Sequence, residues 1–133
     1  MRRVLLVEDS ASMRAFVRAA LTSSAELGEI EVAEAQSGFD ALRLLPRGAW
    51  DLVITDINMP DINGLEVISF IRKSEQHRNT PILIISTASS ERDRERGMKL
   101  GASGYLVKPF TAEAVVAHAL EQLGAESASG AHA

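Results

Sequence analysis

Five short apolar runs alternate with helical patterns along this chain, and this alternation constrains its fold more than any other feature. The runs are typical of strands buried on both faces and cover residues 4–7, 30–35, 52–54, 82–85 and 105–107. Between the runs, apolar residues recur with helical spacing, as in Met13, Phe16, Val17, Ala20 and Leu21. Strands that alternate with helices predict an α/β fold, a doubly wound five-stranded parallel sheet with five helices on its two faces.

Length and composition restrict the classes of protein that the chain can represent. Its 133 residues predict one domain over 1–123, and the small and polar residues of 124–133 predict a disordered tail. The net charge of −4 argues against a nucleic-acid partner, and the absence of Cys excludes zinc fingers and thiol catalysis. Because no apolar run is long enough for a membrane span or a secretion signal, we expect no membrane partner and a cytoplasmic protein.

Polar side chains that follow four of the predicted strands form the candidate site. Ligands of open α/β sheets bind beyond the carboxyl ends of the strands. Those ends carry Glu8-Asp9, Thr55-Asp56, Ser86-Thr87 and Lys108-Pro109. We therefore expect three carboxylates, a hydroxyl and an ammonium group to meet at one edge of the sheet.

This set of groups predicts the chemistry of the site. Three adjacent carboxylates repel one another, so the pKa of at least one should rise unless a cation neutralises them. Oxygen ligands without His or Cys favour Mg²⁺. The Lys108 ammonium group suits a phosphate, and a carboxylate beside it can act as a nucleophile that forms an aspartyl-phosphate. The sequence thus predicts a site that holds Mg²⁺ and a phosphoryl group together.

Several motifs in a fixed order carry a resemblance to a known family. They are Glu8-Asp9, Asp56 with Asn58-Met59-Pro60 and Asn63-Gly64, Ser86, and the run GASGYLVKPF at 101–110. Together they resemble the receiver domain of two-component response regulators, and most closely its stand-alone, CheY-like members, over residues 3–123. The resemblance implies the strand order 2-1-3-4-5.

The resemblance also implies a role for each residue of the site. Asp56 is the expected phosphoacceptor, and Lys108 is expected to contact the phosphoryl group and to precede a cis proline. Glu8 and Asp9 are the expected acidic pair for Mg²⁺. Asp56 and the backbone carbonyl of Asn58 would complete the protein ligands of the metal.

A second group of residues is expected to transmit the signal. Ser86 would bond the phosphoryl oxygens in the active state, and Tyr105 would change its rotamer with Ser86. The face formed by the fourth helix, fifth strand and last helix would then bind a downstream protein. The resemblance implies a histidine kinase as phosphoryl donor and a pathway in chemotaxis or another form of motility, and we expect a monomer.

Two other functions use the same residues. A Mg²⁺-dependent phosphatase of the aspartyl-nucleophile type needs a second acid two residues after the nucleophile, where this chain has Asn58. A phosphorylation-independent interaction module with a receiver fold usually lacks an acid or the lysine, and none is missing here. A nucleotide binder is disfavoured because no glycine-rich loop follows the first strand. The favoured interpretation is a signalling phosphoacceptor that catalyses only its own phosphorylation and dephosphorylation, and not an enzyme.

The fourth predicted helix is unusually charged. Opposite charges three residues apart predict the pairs Glu91–Arg94, Arg92–Glu95 and Asp93–Arg96. Its expected apolar anchors are Met98 and Leu100, and Gly97 weakens it. We expect this helix to be the least stable element. His77 lies in a polar run, at 73–79, and is predicted to be solvated.

Overall fold

Five strands and five helices alternate along the chain in the computed structural model, which describes residues 1–132 and the side chains of 1–123. The strands are Arg2–Val7 (β1), Ile30–Ala35 (β2), Leu52–Asp56 (β3), Ile82–Ser86 (β4) and Gly104–Val107 (β5). The helices are Ala11–Ser23 (α1), Gly38–Leu44 (α2), Gly64–Lys73 (α3), Glu91–Leu100 (α4) and Ala112–His132 (α5), with 3-10 turns at Leu45–Arg47 and Ala88–Ser90. The side chains of the predicted tail, 124–133, lie outside the described residues, so that tail stays a prediction.

The strands form one parallel sheet in the order β2-β1-β3-β4-β5, which confirms the predicted fold class and strand order. Alternate side chains of β1, β3 and β4 enter two separate apolar cores. Leu6, Ile54 and Leu83 pack with α1 and α5 on one face. Leu5, Val53 and Ile84 lie on the other face, in the core that α2 and α3 complete. Among the described residues, no helix is both long enough and apolar enough to cross a membrane.

Polar caps start the helices that follow the strand ends. Ser10 accepts a hydrogen bond from the Met13 backbone N–H at the start of α1. Asn63 accepts from the Glu66 N–H at the start of α3. Capping bonds of this kind satisfy backbone donors that a helix start leaves unpaired. They hold the loops after β1 and β3 in place beside the site.

Gly64 lets α3 approach the end of β3 closely. A Cβ atom at this position would lie 2.2 Å from the Asp56 carbonyl oxygen and 2.8 Å from the Ile57 Cα. The Gly64 N–H donates to the Ile57 carbonyl at 2.8 Å, so the two backbones touch directly. Because both obstacles are backbone atoms, they cannot turn aside as a side chain could.

We therefore expect Gly64→Ala to lower the free energy of unfolding by about 2 kcal/mol, the usual cost of an overpacked site. Urea denaturation measures this change. Gly104→Ala is the matched control, because its Cβ would meet Leu83 Cδ1 at an ordinary 3.6 Å. Equal stability of the two variants would show that the contact at Gly64 relaxes without cost.

The structure corrects the predicted anchors of α4. Met98 and Leu100 are 38% and 40% exposed, and the buried residue of this helix is Gly97. A Cβ at Gly97 would lie 2.4 Å from Ile84 Cδ1, so the missing side chain is what lets α4 approach the sheet. The helix thus has little apolar surface of its own in the core, which fits its expected low stability.

The charged side chains of α4 also differ from the prediction. Asp93 and Arg96 form the expected pair, with an N–O distance of 3.9 Å. Arg94 instead donates to the Thr87 carbonyl at 2.7 Å. Thr87 directly follows β4, so this acceptor lies outside the helix that carries Arg94.

The prediction for His77 is wrong, since its side chain is buried and only 2% exposed. The turn after α3 is tied to the segment before β3 by Gln76, which donates to the Gly48 carbonyl, and by Thr80, which donates to the Trp50 carbonyl. Neither ring nitrogen has a hydrogen-bond partner.

Trp50 lies at the edge of the sheet where the parallel strands begin. Its indole N–H donates to the Leu45 carbonyl at 3.2 Å, and the Arg3 guanidinium lies 4.3 Å from its ring centroid. The ring is 6% exposed. The site residues follow the opposite ends of the strands, so Trp50 and the site are separated by the length of β3.

Candidate functional site

The predicted carboxylates meet at the carboxyl edge of the sheet. Asp56 ends β3, and Glu8 and Asp9 follow β1, the strand that pairs with β3. One carboxylate oxygen from each of these three residues lies within 4.8 Å of the other two. Glu8 and Asp56 are buried at 0% and 4% exposure, whereas Asp9 is exposed. The cluster is therefore open to solvent on the side of Asp9.

Lys108 joins the two buried acids. Its Nζ lies 3.1 Å from Glu8 Oε1 and 3.0 Å from Asp56 Oδ2. Burial opposes the charged ammonium, but the bonds to the two carboxylates outweigh it and raise the pKa of Lys108. The Lys108 N–H donates to the Ser86 carbonyl, and the bond to Pro109 is cis, as the resemblance implies. The backbone thus fixes the position from which the ammonium reaches the acids.

The surroundings of the Glu8 carboxyl shift its pKa. Burial raises its pKa from the ordinary 4.5 to about 7. The Ser10 backbone N–H, which donates to Oε2 at 2.9 Å, opposes that rise, and the neighbouring carboxyls of Asp9 and Asp56 add to it. The direction of this rise agrees with the expectation from the sequence, although burial, and not the neighbouring acids, is its largest cause.

Arg14 holds the loop that carries the acidic pair. Its Nη1 donates to the Glu8 carbonyl at 2.7 Å and to the Asp9 carbonyl at 3.3 Å, and its Nε donates to Glu34 Oε1 at 3.1 Å. Glu34 lies on the edge strand β2. This contact could not be predicted from the sequence, because Arg14 lies one turn into α1 and belongs to no motif.

A chain of polar contacts links Asp56 to the loop after β4. The Asn58 backbone N–H donates to Asp56 Oδ1 at 3.2 Å, and the Asn58 side-chain amide donates to Ser90 Oγ at 2.8 Å. Ser90 Oγ lies 2.9 Å from Thr87 Oγ1. Ser90 is not among the predicted site residues, although the hydroxyl-rich run at 86–90 was a signal that could have revealed it.

Ser86 and Tyr105 lie one and two strands away from Asp56. Asp56 pairs with Ile85 of β4, so Ser86 follows directly beside it and is fully buried. Tyr105 lies on β5 and is 46% exposed. The Arg94 guanidinium reaches both residues, with Nη1 3.5 Å from Ser86 Oγ and Cζ 5.5 Å from the Tyr105 ring centroid.

The donor set fits a hard divalent cation. It consists of carboxylate oxygens from the end of β3 and from the loop after β1, and the Asp9 carboxylate is exposed and therefore reachable from solvent. Oxygen ligands in a partly open cluster match the preference of Mg²⁺, which keeps several waters. The predicted part of the Asn58 carbonyl as a further ligand stays a prediction.

The comparison with known proteins agrees with the geometry of the site. The model of the response regulator receiver domain family matches residues 4–120. The chain belongs to this family. Its receiver domain is similar to the chemotaxis protein CheY homolog of Campylobacter jejuni, with 34% identity over 130 residues, which covers 97% of this chain and 98% of that protein.

Solved receiver structures show the same fold. The chemotaxis response regulator CheY4 of Vibrio cholerae is 35% identical, covers 92% of this chain and 99% of its own, and superimposes with a TM-score of 0.83. The receiver domain of a sensor histidine kinase from Pseudomonas aeruginosa, with a magnesium ion coordinated in its active-site cleft, is 27% identical. It covers 92% of this receiver and 98% of its own chain, with a TM-score of 0.82.

Proposed function

We propose that this receiver accepts a phosphoryl group on Asp56 from a histidine kinase and then binds a downstream protein through an altered surface. The observation that carries the proposal is the double contact of Lys108. Its ammonium lies about equally far from Asp56 and Glu8, where it can neutralise a phosphoryl group that arrives on the Asp56 carboxylate.

The reaction needs little from the protein beyond position and charge. An Asp56 carboxylate oxygen forms a bond to phosphorus, and the bond from phosphorus to the imidazole nitrogen of the kinase breaks, with a proton taken up by that nitrogen. Asn58 holds the other Asp56 oxygen through its backbone N–H, which leaves the carboxylate oriented. The Lys108 ammonium, which contacts the carboxylate before the reaction, then contacts the phosphoryl oxygens.

The metal in this proposal is Mg²⁺. Glu8, Asp9 and Asp56 would hold it with their carboxylates, and Asn58 with its backbone carbonyl. When bound, it would neutralise charge on the phosphoryl oxygens and on the acids. Two findings support this part of the proposal, namely the oxygen-only donor set and the magnesium ion in the cleft of the Pseudomonas aeruginosa receiver.

The proposed output surface consists of α4, β5 and α5. Tyr105 stands exposed on it, and Ser86 lies buried between it and the acidic cluster. A new dianion that draws Ser86 and Lys108 inward would change this surface. The similar chemotaxis proteins favour a partner in chemotaxis or another form of motility. In this proposal the protein is a monomer and is located in the cytoplasm, as expected from the sequence.

Intact mass spectrometry of the protein with Mg²⁺ and acetyl phosphate tests this proposal. We expect the mass of one added phosphoryl group, its absence when EDTA replaces Mg²⁺, and its location on Asp56 by fragmentation. An unmodified mass with both acetyl phosphate and phosphoramidate, in protein shown to bind Mg²⁺, would favour the phosphorylation-independent module. Steady release of phosphate from a small phosphate ester would favour the phosphatase.

A further inference from the structure

One side chain of α4 contacts both residues of the proposed switch. Arg94 donates to the Thr87 carbonyl at 2.7 Å, and the same nitrogen lies 3.5 Å from Ser86 Oγ. Its guanidinium also covers the face of the Tyr105 ring, with Cζ 5.5 Å from the centroid. The family motifs quoted from the sequence do not include this arginine.

Each of these contacts favours the arrangement seen here. A guanidinium over an aromatic face is attracted by the ring electrons, which keeps Tyr105 at the surface. In its contact with Ser86, Arg94 Nη1 donates and Ser86 Oγ accepts. Movement of Oγ toward a phosphoryl group on Asp56 would lengthen this contact, and Tyr105 cannot turn inward without leaving the cation.

The loop between β4 and α4 is also held by a contact from the side of the acidic site. Asn58, which bonds Asp56 through its backbone, donates through its side chain to Ser90, and Ser90 contacts Thr87 Oγ1. Arg94 donates a hydrogen bond to the backbone carbonyl of the same Thr87. The loop is therefore fixed between a residue of the acidic site and a residue of the output surface.

We propose that Arg94 is a positioning residue that holds Ser86 and Tyr105 in the unphosphorylated arrangement. This inference rests on the proposed function, since it assigns Arg94 a part in the same switch. Loss of the arginine should raise the population of the phosphoryl-competent arrangement. The apparent affinity for a phosphoryl mimic then rises by the same factor as that population.

The chain offers a direct probe, because Tyr105 is its single tyrosine. Protein labelled with ¹³C-tyrosine gives one set of ring signals, which can be followed by NMR during titration with beryllofluoride in the presence of Mg²⁺. We expect Arg94→Ala to bind beryllofluoride about fivefold more tightly than the wild type, a factor that corresponds to about 1 kcal/mol. Before any addition, its Tyr105 signal should already lie part of the way toward the bound position.

Arg96→Ala is the matched control. Arg96 lies on the same helix, has the same charge and pairs only with Asp93 at 3.9 Å among the described residues. Removing a positive charge by itself weakens binding of an anion, so the electrostatic effect common to both variants opposes the expected result. Arg96→Ala should therefore bind beryllofluoride no more tightly than the wild type.

The outcomes separate this inference from the proposed function. If beryllofluoride leaves the wild-type Tyr105 signal unchanged, the proposed function fails, and the inference fails with it. If the wild type responds and Arg94→Ala binds with equal or lower affinity, only the part assigned to Arg94 is overturned. Tighter binding by Arg96→Ala as well would also overturn it, because the gain would then not depend on the contacts of Arg94 with Ser86 and Tyr105.

Discussion

Asp56→Asn protein is expected to gain no detectable phosphoryl group under conditions that load the wild type. The amide keeps the shape of the carboxylate and can still accept a hydrogen bond from Lys108 Nζ, 3.0 Å away in the wild type. It is not a nucleophile, however, and it cannot form an acyl phosphate. Intact mass after incubation with Mg²⁺ and acetyl phosphate measures this loss.

Asp61→Asn is the control for that experiment. Asp61 follows Asp56 by five residues in the same loop, and its carboxylate accepts from the backbone N–H groups of Gly38 and Phe39, away from the cluster. This variant should be phosphorylated like the wild type. A phosphoryl group that persists in Asp56→Asn protein would show that another residue is the phosphoacceptor. The exposed Asp9 would be the first to examine.

The second large effect concerns Glu8 and pH. Its pKa is about 7 in the folded protein and 4.5 ordinarily, so the folded state holds the proton more tightly than the unfolded state does. The stability from protonated Glu8 is fully present below pH 4.5 and is lost as the pH rises to about 7. A difference of this size corresponds to about 3 kcal/mol in the free energy of unfolding.

Glu8→Gln should remove most of this pH dependence, because glutamine is neutral throughout. Urea denaturation in EDTA between pH 5 and pH 8 is the measurement, and at pH 8 the variant should be the more stable protein. Glu29→Gln replaces an exposed glutamate and should retain the wild-type profile. Parallel profiles for wild type and Glu8→Gln would mean that burial leaves the Glu8 carboxyl with an ordinary pKa.

The strands of the sheet could be predicted because apolar patterns report burial directly, whereas the strand order came from the resemblance to the family. Ile82, Leu83 and Ile84 are all fully buried, as a strand covered on both faces requires. The apolar pattern missed the start of β1, where Arg2 and Arg3 pair with β2. Backbone pairing continues there although the side chains are charged, and a pattern of side chains does not show that.

The members of the acidic site were predictable for a related reason. Asp56 ends a strand, and Glu8 and Lys108 directly follow strands, so the fold alone brings the three residues to one edge. The resemblance added the roles, which the proposed experiments test. What neither source showed is the pairing of Lys108 with both buried acids at about 3 Å.

The contacts that the sequence missed join residues distant in the chain. Arg94 was assigned to Glu91, its neighbour on the helix, but contacts Thr87 and Tyr105. His77 was placed in solvent because its neighbours in the sequence are polar. Both predictions rest on local sequence, whereas partner choice and burial depend on which loops the fold brings over a side chain.

Trp50 gives this protein an internal spectroscopic reference. Its buried indole, fixed by Arg3 and the Leu45 carbonyl, lies a strand length away from the acids. Its emission should therefore change when the molecule unfolds and stay constant when the carboxyl edge binds an ion or an anion. One sample can then yield two independent titrations, global unfolding from the indole and site occupancy from the tyrosine.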